Sequence, residues 1–316
     1  MQKRNLGHSA VKIAPLVLGG NVFGWTADVA TSFRILDAFV DRGFNCIDTA
    51  DVYSRWVPGH VGGESETILG QWFQKSGKRD KVVLATKVGI DMGDGKEGLS
   101  RKNILQGVEA SLQRLQTDYI DLYQSHRDDP SVPLEETLET YRLLVEQGKV
   151  RILGASNYCG ARLAEALQVS RQKDLPSYET LQPDYNLHAR KDYETDLAPV
   201  VAEYGLGVIP YFSLASGFLT GKYKTKQDAK GANREAMVGK YFDDRGERIL
   251  KALEEVAQQT GAAQASIALA WLMARPGITA PIASATSVEQ LETLCAAAEL
   301  KLEGVAMEKL DRASAY

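Results

Sequence analysis

The fold of this chain is most constrained by short apolar runs that alternate with longer amphipathic stretches along the sequence. Eight such runs lie at residues 13–20, 44–50, 81–89, 119–126, 150–157, 178–186, 206–212 and 278–284. Eight stretches with helical spacing lie among and after them; one ends at Gly43, and others begin after Ser100 and Ser287, residues typical of helix caps. This alternation predicts a (β/α)8 TIM barrel rather than a doubly wound sheet with a second domain.

Two segments stand outside the alternation. Residues 1–12 predict a small amino-terminal hairpin around Gly7, and residues 213–260 predict a long loop and helix insert between strands 7 and 8. The insert is longer than a connection requires, and long loops after barrel strands commonly carry function. No compositional break divides the chain, so we expect a single domain over residues 1–316.

Composition excludes several classes of protein. The chain has 37 Lys plus Arg against 41 Asp plus Glu and no basic run, which argues against a nucleic-acid partner. Its apolar stretches are broken well short of the ~18 residues of a membrane span, and its amino terminus lacks the apolar core of a signal peptide. Cys46, Cys159 and Cys295 have neither zinc-site nor disulfide spacing. We therefore expect a cytoplasmic protein with no membrane partner and no metal.

Polar residues follow three successive apolar runs. Asp48, Lys87 and His126 end the second, third and fourth runs, and Tyr53 follows Asp48 closely. The carboxyl ends of barrel strands form one rim, and adjacent strands lie about 4.8 Å apart, so these side chains are expected to converge. A Lys beside a Tyr lowers the Tyr pKa, and an Asp keeps that Lys charged, which would make Tyr53 a general acid.

Each residue also has a structural interpretation. Asp48 could begin a turn or cap a helix, His126 could be a satisfied core residue, and Tyr53 could pack on Trp56. The combination of all four favours catalysis. A barrel isomerase or lyase with a Schiff base on Lys87 is an alternative, although it requires an uncharged Lys, which Asp48 opposes.

Over nearly its whole length the sequence resembles the aldo-keto reductase family. The resemblance is carried by RNLGHSAVKIAPLVLGG, NCIDTADVYSRW with GGESETILGQW, ATKVG, DYIDLYQSHRDD, VRILGASNY, LQPDYNLHAR and VIPYFSLASGFLTGKY, in that order. It implies reversible, NAD(P)H-dependent reduction of aldehydes or ketones to alcohols. By this resemblance the catalytic residues are Asp48, Tyr53, Lys87 and His126, with Tyr53 as proton donor and His126 orienting the carbonyl oxygen.

The same resemblance implies a nicotinamide cofactor bound without the G-x-G-x-x-G loop of Rossmann folds, which this sequence lacks. It assigns the carboxamide to Ser156, Asn157 and Gln182 and the nicotinamide ring to Tyr211. The pyrophosphate would be held by the loop FSLASGFLTGK, in which Gly217 and Gly221 allow close approach. The remaining expected cofactor residues are Gly20, Phe212, Ser213, Leu214, Lys222, Ser284, Thr286 and Gln290.

The adenosine end departs from the pattern of NADP-preferring relatives, which carry Lys or Arg after strand 8. Here that segment is IASATSVEQLETL, without a cation. NADP(H) is expected from the family, with NAD(H) or use of both as the alternative, and Lys222 or Arg275 could supply the missing charge.

Trp25 and Trp56, with Phe23 as a further candidate, predict an aromatic wall around a small carbonyl substrate; their alternative role is to close the barrel mouth. Arg127 could meet an anionic substrate or be a solvated surface residue. Two other functions remain open: an NAD-dependent sugar or alcohol dehydrogenase of the same fold, and a nucleotide-sensing regulatory barrel with little turnover, as in potassium-channel β subunits. The sequence leaves the oligomeric state unknown.

Overall fold

The computed structural model, which describes residues 1–93 and 95–316, is a (β/α)8 barrel with an amino-terminal hairpin. The hairpin pairs β1 (Arg4–Asn5) with β2 (Lys12–Ile13) in antiparallel fashion. The parallel barrel strands are β3 (Val17–Gly19), β4 (Cys46–Asp48), β5 (Val83–Val88), β6 (Ile120–Ser125), β7 (Val150–Ser156), β8 (Tyr178–Gln182), β9 (Gly207–Val208) and β10 (Ile282–Ala283). The predicted barrel and hairpin are confirmed.

Hydrogen bonds between the last two strands close the barrel. The sheet runs in the order β10-β3-β4-β5-β6-β7-β8-β9. The chain entering β10 then returns to β9, where Thr279 N–H donates to the Val208 carbonyl at 2.8 Å and Ile282 N–H donates to the Pro210 carbonyl at 2.9 Å. Because the strands of this closed sheet are parallel, their carboxyl ends all face the same mouth.

Helices surround the sheet. They are α1 (Val29–Asp41), α2 (Glu64–Ser76), α3 (Arg101–Leu115), α4 (Leu134–Glu146), α5 (Gly160–Lys173), α6 (Ala198–Tyr204), α7 (Glu235–Val238), α8 (Asp244–Thr260), α9 (Gln264–Met273), α10 (Val288–Ala296) and α11 (Gly304–Ala313). The predicted caps are present, since Ser100 accepts from Asn103 N–H and Ser287 from Gln290 N–H. None of the described helices is long and apolar enough to cross a bilayer.

Two apolar clusters stabilise the barrel. The larger lies between the sheet and the helices, and the smaller fills the barrel interior. Leu6 and Ile13 of the hairpin are fully buried in the interior cluster, so the hairpin seals the amino-terminal end. The amino-terminal end of the barrel is therefore closed.

The insert between β9 and β10 has the predicted position and contains α7 and α8, with short 3₁₀ turns at 215–220, 226–229 and 239–241. Helix α11 was not among the predicted helices. It lies against α8, where Lys309 pairs with Glu255 at 2.7 Å, and against α9, where Trp271 Nε1 donates to Asp311 at 2.9 Å.

Helices α2 and α3 approach closely at Gly70. A Cβ atom there would lie 2.2 Å from the Arg114 backbone carbonyl, a contact that neither helix can relieve by rotating a side chain. We expect Gly70→Ala to lower the free energy of unfolding by about 1–3 kcal/mol despite the better helix propensity of Ala.

Gly304→Ala at the start of α11 is the matched control, because nothing lies within 4 Å of the added Cβ. Denaturant unfolding should show no loss of stability for this variant. An unchanged stability of Gly70→Ala would contradict the close helix contact.

Candidate active site

A cavity of about 1160 Å³ opens at the carboxyl ends of the strands. Its floor contains Asp48, Tyr53 and His126, and the insert forms much of its wall. Most of the residues predicted for the site line it: Trp25, Asp48, Tyr53, Trp56, His126, Ser156, Asn157, Gln182, Tyr211, Phe212, Ser213, Leu214, Gly217, Lys222, Ser284, Thr286 and Gln290. Residues from distant parts of the sequence thus share one cavity.

Lys87 organises the floor of this cavity. It is fully buried, and its Nζ donates to Asp48 Oδ2 at 2.7 Å, to the Thr49 carbonyl at 2.7 Å and to the Tyr53 hydroxyl at 3.2 Å. These three contacts use the three ammonium donors. Asp48 therefore acts as an ion-pair partner, not as the turn or helix cap that its position in the sequence also allowed.

The protonation states follow from burial and from this ion pair. Burial opposes the charge on Lys87, but Asp48 and the Tyr53 hydroxyl outweigh it and raise the Lys87 pKa. Burial also raises the pKa of the Tyr53 hydroxyl, and Lys87 offsets this only in part. The expectation that Lys87 brings the Tyr53 pKa toward neutrality is therefore wrong, because desolvation of the phenolate dominates.

His126 lies beside Tyr53, with 6.1 Å between the ring centres. Burial lowers the His126 pKa well below its usual range, and the cations of Lys87 and Arg127 lower it further. The ring is therefore neutral, and within the described structure its buried Nδ1 has no hydrogen-bond partner. The alternative of a hydrogen-bonded core histidine does not fit this arrangement.

Two amide side chains hold the second oxygen of Asp48. Gln182 Nε2 donates to Oδ1 at 2.9 Å and Gln124 Nε2 at 3.1 Å. Both glutamines are buried. Gln124 was not among the predicted site residues, although it lies two positions before His126 and its side chain also points into the barrel.

Asn157 and Tyr211 are linked across the cavity wall. The Tyr211 hydroxyl donates to Asn157 Oδ1 at 2.8 Å, and Asn157 Nδ2 donates to the His126 carbonyl at 2.8 Å. Ser156 donates to the Gln182 carbonyl at 2.9 Å. These contacts fix the polar groups around the floor before any ligand binds.

The loop after β9 has an unusual backbone. Phe212, Ala215 and Ser216 have φ values of 51°, 49° and 57°, and Gly217 has 98°. Such left-handed residues turn successive peptide groups toward one side, a geometry that forms anion-binding concavities. Lys222 follows on the same cavity wall, and its Nζ lies 4.6 Å from the centre of the Tyr223 ring.

The other end of the cavity is polar and uncharged. The Thr286 hydroxyl and N–H donate to Gln290 Oε1 at 3.1 and 3.0 Å, and Ser284 donates to Asn21 at 2.6 Å. Thr286 and Gln290 stand at the start of α10, where the helix dipole favours anions. Asn21, another lining residue, was not predicted.

Aromatic rings and one arginine form the mouth. Trp56 is 48% exposed and contacts both Trp25 and Tyr53 edge to face, at ring distances of 5.7 and 5.6 Å. The Arg234 guanidinium of the insert lies 5.7 Å from the Trp25 ring centre. Arg234 is half-buried in the cavity wall, and in the described structure it has no carboxylate partner.

Several expected residues lie elsewhere. Gly20 packs below the cavity, because a Cβ there would meet Ser65 Oγ at 2.9 Å, and Phe23 is buried in the core. Arg275 pairs with Asp311 at 3.1 Å outside the cavity wall, so it is not the missing cation. Arg127 is exposed and does not line the cavity.

Comparisons with known proteins agree with this architecture. The description "Aldo/keto reductase family" belongs to a family profile that matches residues 15–315. "Uncharacterized oxidoreductase YrpG" of Bacillus subtilis is 36% identical over 96% of this chain and 93% of its own. "Aldo-keto reductase YhdN" of the same species is 33% identical over 90% and 84%. A "probable voltage-gated potassium channel subunit beta" of Arabidopsis thaliana is 32% identical over 100% of both chains. The chain belongs to the aldo/keto reductase family.

Proposed function

We propose that this protein is an NADP(H)-dependent oxidoreductase that reduces aldehydes or ketones to alcohols. The observation that carries the proposal is the Lys87 ammonium, which bridges the Asp48 carboxylate and the Tyr53 hydroxyl on the cavity floor. This arrangement places a proton donor, with a buried cation behind it, on the cavity floor where a carbonyl oxygen can reach the Tyr53 hydroxyl.

Tyr53 serves as the general acid. Because its pKa is raised, the hydroxyl carries its proton at neutral pH and can donate it as charge develops on the carbonyl oxygen. When bound, the reduced nicotinamide supplies the hydride to the carbonyl carbon. A protonated Tyr53 favours reduction over alcohol oxidation at neutral pH, since oxidation requires the phenolate as base.

Lys87 and Asp48 stabilise the Tyr53 phenolate that forms when the proton is donated. The phenolate left after proton donation would lie 3.2 Å from the buried Lys87 ammonium, at a position where burial desolvates the phenol. Asp48, fixed by Gln124 and Gln182, keeps Lys87 charged and oriented. A charged Lys87 cannot form the Schiff base of an isomerase or lyase.

His126 positions the substrate. A neutral imidazole has one N–H donor, so it can hydrogen-bond the carbonyl oxygen without placing another positive charge beside Lys87. The low pKa of His126 supports this role.

The lining of the cavity supports binding of a nicotinamide dinucleotide. Its deep end presents Ser156, Asn157 and Gln182 for the carboxamide, and Tyr211 for the ring. The loop 212–217 would hold the pyrophosphate. At Gly217 its backbone lies close to the Lys222 side chain, since an added Cβ would be 3.2 Å from Lys222 Cε. Lys222 and Arg234 supply positive charge on the same wall. Thr286 and Gln290 lie at the far end, where they would bind the adenosine 2′-phosphate.

The substrate would enter past Trp25 and Trp56. In the described structure Asp48 is the only carboxylate of the cavity wall, and it is already paired with Lys87. The aromatic rings of the mouth favour apolar or aromatic carbonyl compounds, and the positive charges of Lys222 and Arg234 disfavour cationic ones.

A regulatory role is the second candidate, because three relatives are named as probable or putative potassium-channel β subunits. The two functions differ in turnover. We expect fluorescence titration to show NADPH binding and a reactive aromatic aldehyde then to consume the bound cofactor. Tight binding without turnover on a broad aldehyde panel would favour the regulatory function, and failure to bind NADPH and NADH would contradict both.

The assignment of the proton donor can be tested with Tyr53→Phe. We expect kcat for carbonyl reduction to fall about 100- to 10,000-fold, because the variant lacks the acid but keeps the ring, while the Kd for NADPH changes little. Tyr204→Phe, beside the hairpin at the opposite end of the barrel, is the control. Retention of most turnover by Tyr53→Phe would exclude Tyr53 as the acid.

The assignment of the 2′-phosphate can be tested with Gln290→Glu. A carboxylate beside Thr286 would repel the extra phosphate of NADPH, so we expect the Kd for NADPH to rise about tenfold and that for NADH to change much less. Gln259→Glu on the exposed face of α8 carries the same change in net charge and should leave both unchanged. An equal loss of affinity for NADPH and NADH would show that the 2′-phosphate binds elsewhere.

A further inference from the structure

A second group of charged residues lies behind the active site. Glu66 of α2 is fully buried, accepts from Thr86 Oγ1 at 2.6 Å and from Arg114 Nε at 2.7 Å, and so forms an ion pair with α3. Asp51 is close enough to interact electrostatically with this pair and with Lys87. Its backbone N–H donates to the Lys87 carbonyl at 3.4 Å, and it is two residues from Tyr53.

Asp51 is the unpaired member of this group. Lys87 balances Asp48, and Arg114 balances Glu66, so an ionised Asp51 would leave the buried cluster with one uncompensated negative charge. The side chain is 4% exposed, and within the described structure its Oδ1 has no hydrogen-bond partner. A buried carboxylate without a partner is costly, whereas the protonated acid is not.

Some of the surrounding groups raise the Asp51 pKa and others lower it. Burial raises the Asp51 pKa to about 8 and the charge of Glu66 adds to this, while Arg114, the Val52 amide and Lys87 oppose it. Tyr123 of β6 and Tyr141 of α4 also lie near Asp51, and burial raises the pKa of both hydroxyls so that they stay neutral. The negative charge of Asp51 in turn helps to raise the Tyr53 pKa. The residue is therefore coupled electrostatically to the proton donor.

We propose that Asp51 is a positioning residue that stays protonated while the enzyme reduces carbonyls, and that loss of its proton in mild alkali slows reduction by opposing phenolate formation at Tyr53. Asp51 touches neither substrate nor cofactor. It acts through the Lys87–Tyr53 pair, because loss of its proton leaves a negative carboxylate near that pair. The coupling to turnover rests on the proposed reductase function, whereas the proton on Asp51 does not.

The proton on Asp51 is tested by thermal unfolding, which needs neither cofactor nor substrate. An unfolded Asp has a pKa of about 3.9, so between about pH 4 and pH 8 the folded chain holds a proton that the unfolded chain has lost. The stability of the wild type must therefore fall across this window relative to Asp51→Asn, which cannot ionise. We expect the Tm difference, variant minus wild type, to grow from pH 5 to pH 8.

Asp118→Asn is the matched control, because Asp118 is exposed at the opposite end of the barrel. Its Tm difference from the wild type should stay constant over the same pH range. A constant difference for Asp51→Asn as well would overturn the proposal.

The coupling is tested by the pH profile of kcat/KM for aldehyde reduction with NADPH. Near pH 6.5 Asp51→Asn should resemble the wild type, and above pH 8.5 it should exceed the wild type by roughly three- to tenfold, because it avoids the extra negative charge near Tyr53. Parallel profiles would refute the coupling even if the thermal result holds. Absence of reduction in the wild type would instead contradict the proposed function, and the thermal result would still report on the proton.

Discussion

The burial of one ammonium group constrains the whole active site. Lys87 extends from β5 into the closed end of the cavity, where a charged group is tolerated only if each of its donors finds a partner. Asp48, the Thr49 carbonyl and the Tyr53 hydroxyl supply them, and Gln124 and Gln182 in turn fix Asp48. Strands β4, β5, β6 and β8 must keep their relative register for these contacts to form. The site is thus as rigid as the sheet that carries it.

Most of the barrel could be predicted from the sequence, because each apolar run and each amphipathic stretch has the burial pattern of a strand or a helix. The parts that were not predicted lack such local signals. Helix α11 has only Ala306 and Leu310 buried and exposes Val305, so its apolar face is narrow. Strands β9 and β10 are shorter than their apolar runs, since Pro210 and Pro281 have no N–H for the ladder.

Sequence reasoning succeeded for site residues at strand ends and failed for those that depend on tertiary contacts. Asp48, Lys87 and His126 lie at or just beyond the carboxyl ends of strands, so topology alone brings them together. Arg234 sits within the insert, and no periodicity indicates that it contacts Trp25. The sign of the Tyr53 pKa shift was also wrong, because the sequence shows the nearby charge of Lys87 but not the loss of water around the phenol.

The hairpin closes the amino-terminal end of the barrel and leaves the carboxyl end open. Leu6 and Ile13 fill the other end, so everything that reaches Tyr53 must pass the rim formed by Trp56 and the insert. Two ligands that share one opening cannot exchange independently when one lies beneath the other. If a cofactor and a substrate bind there as proposed, the one bound deeper must arrive first and depart last, because the packed amino-terminal end offers no second path.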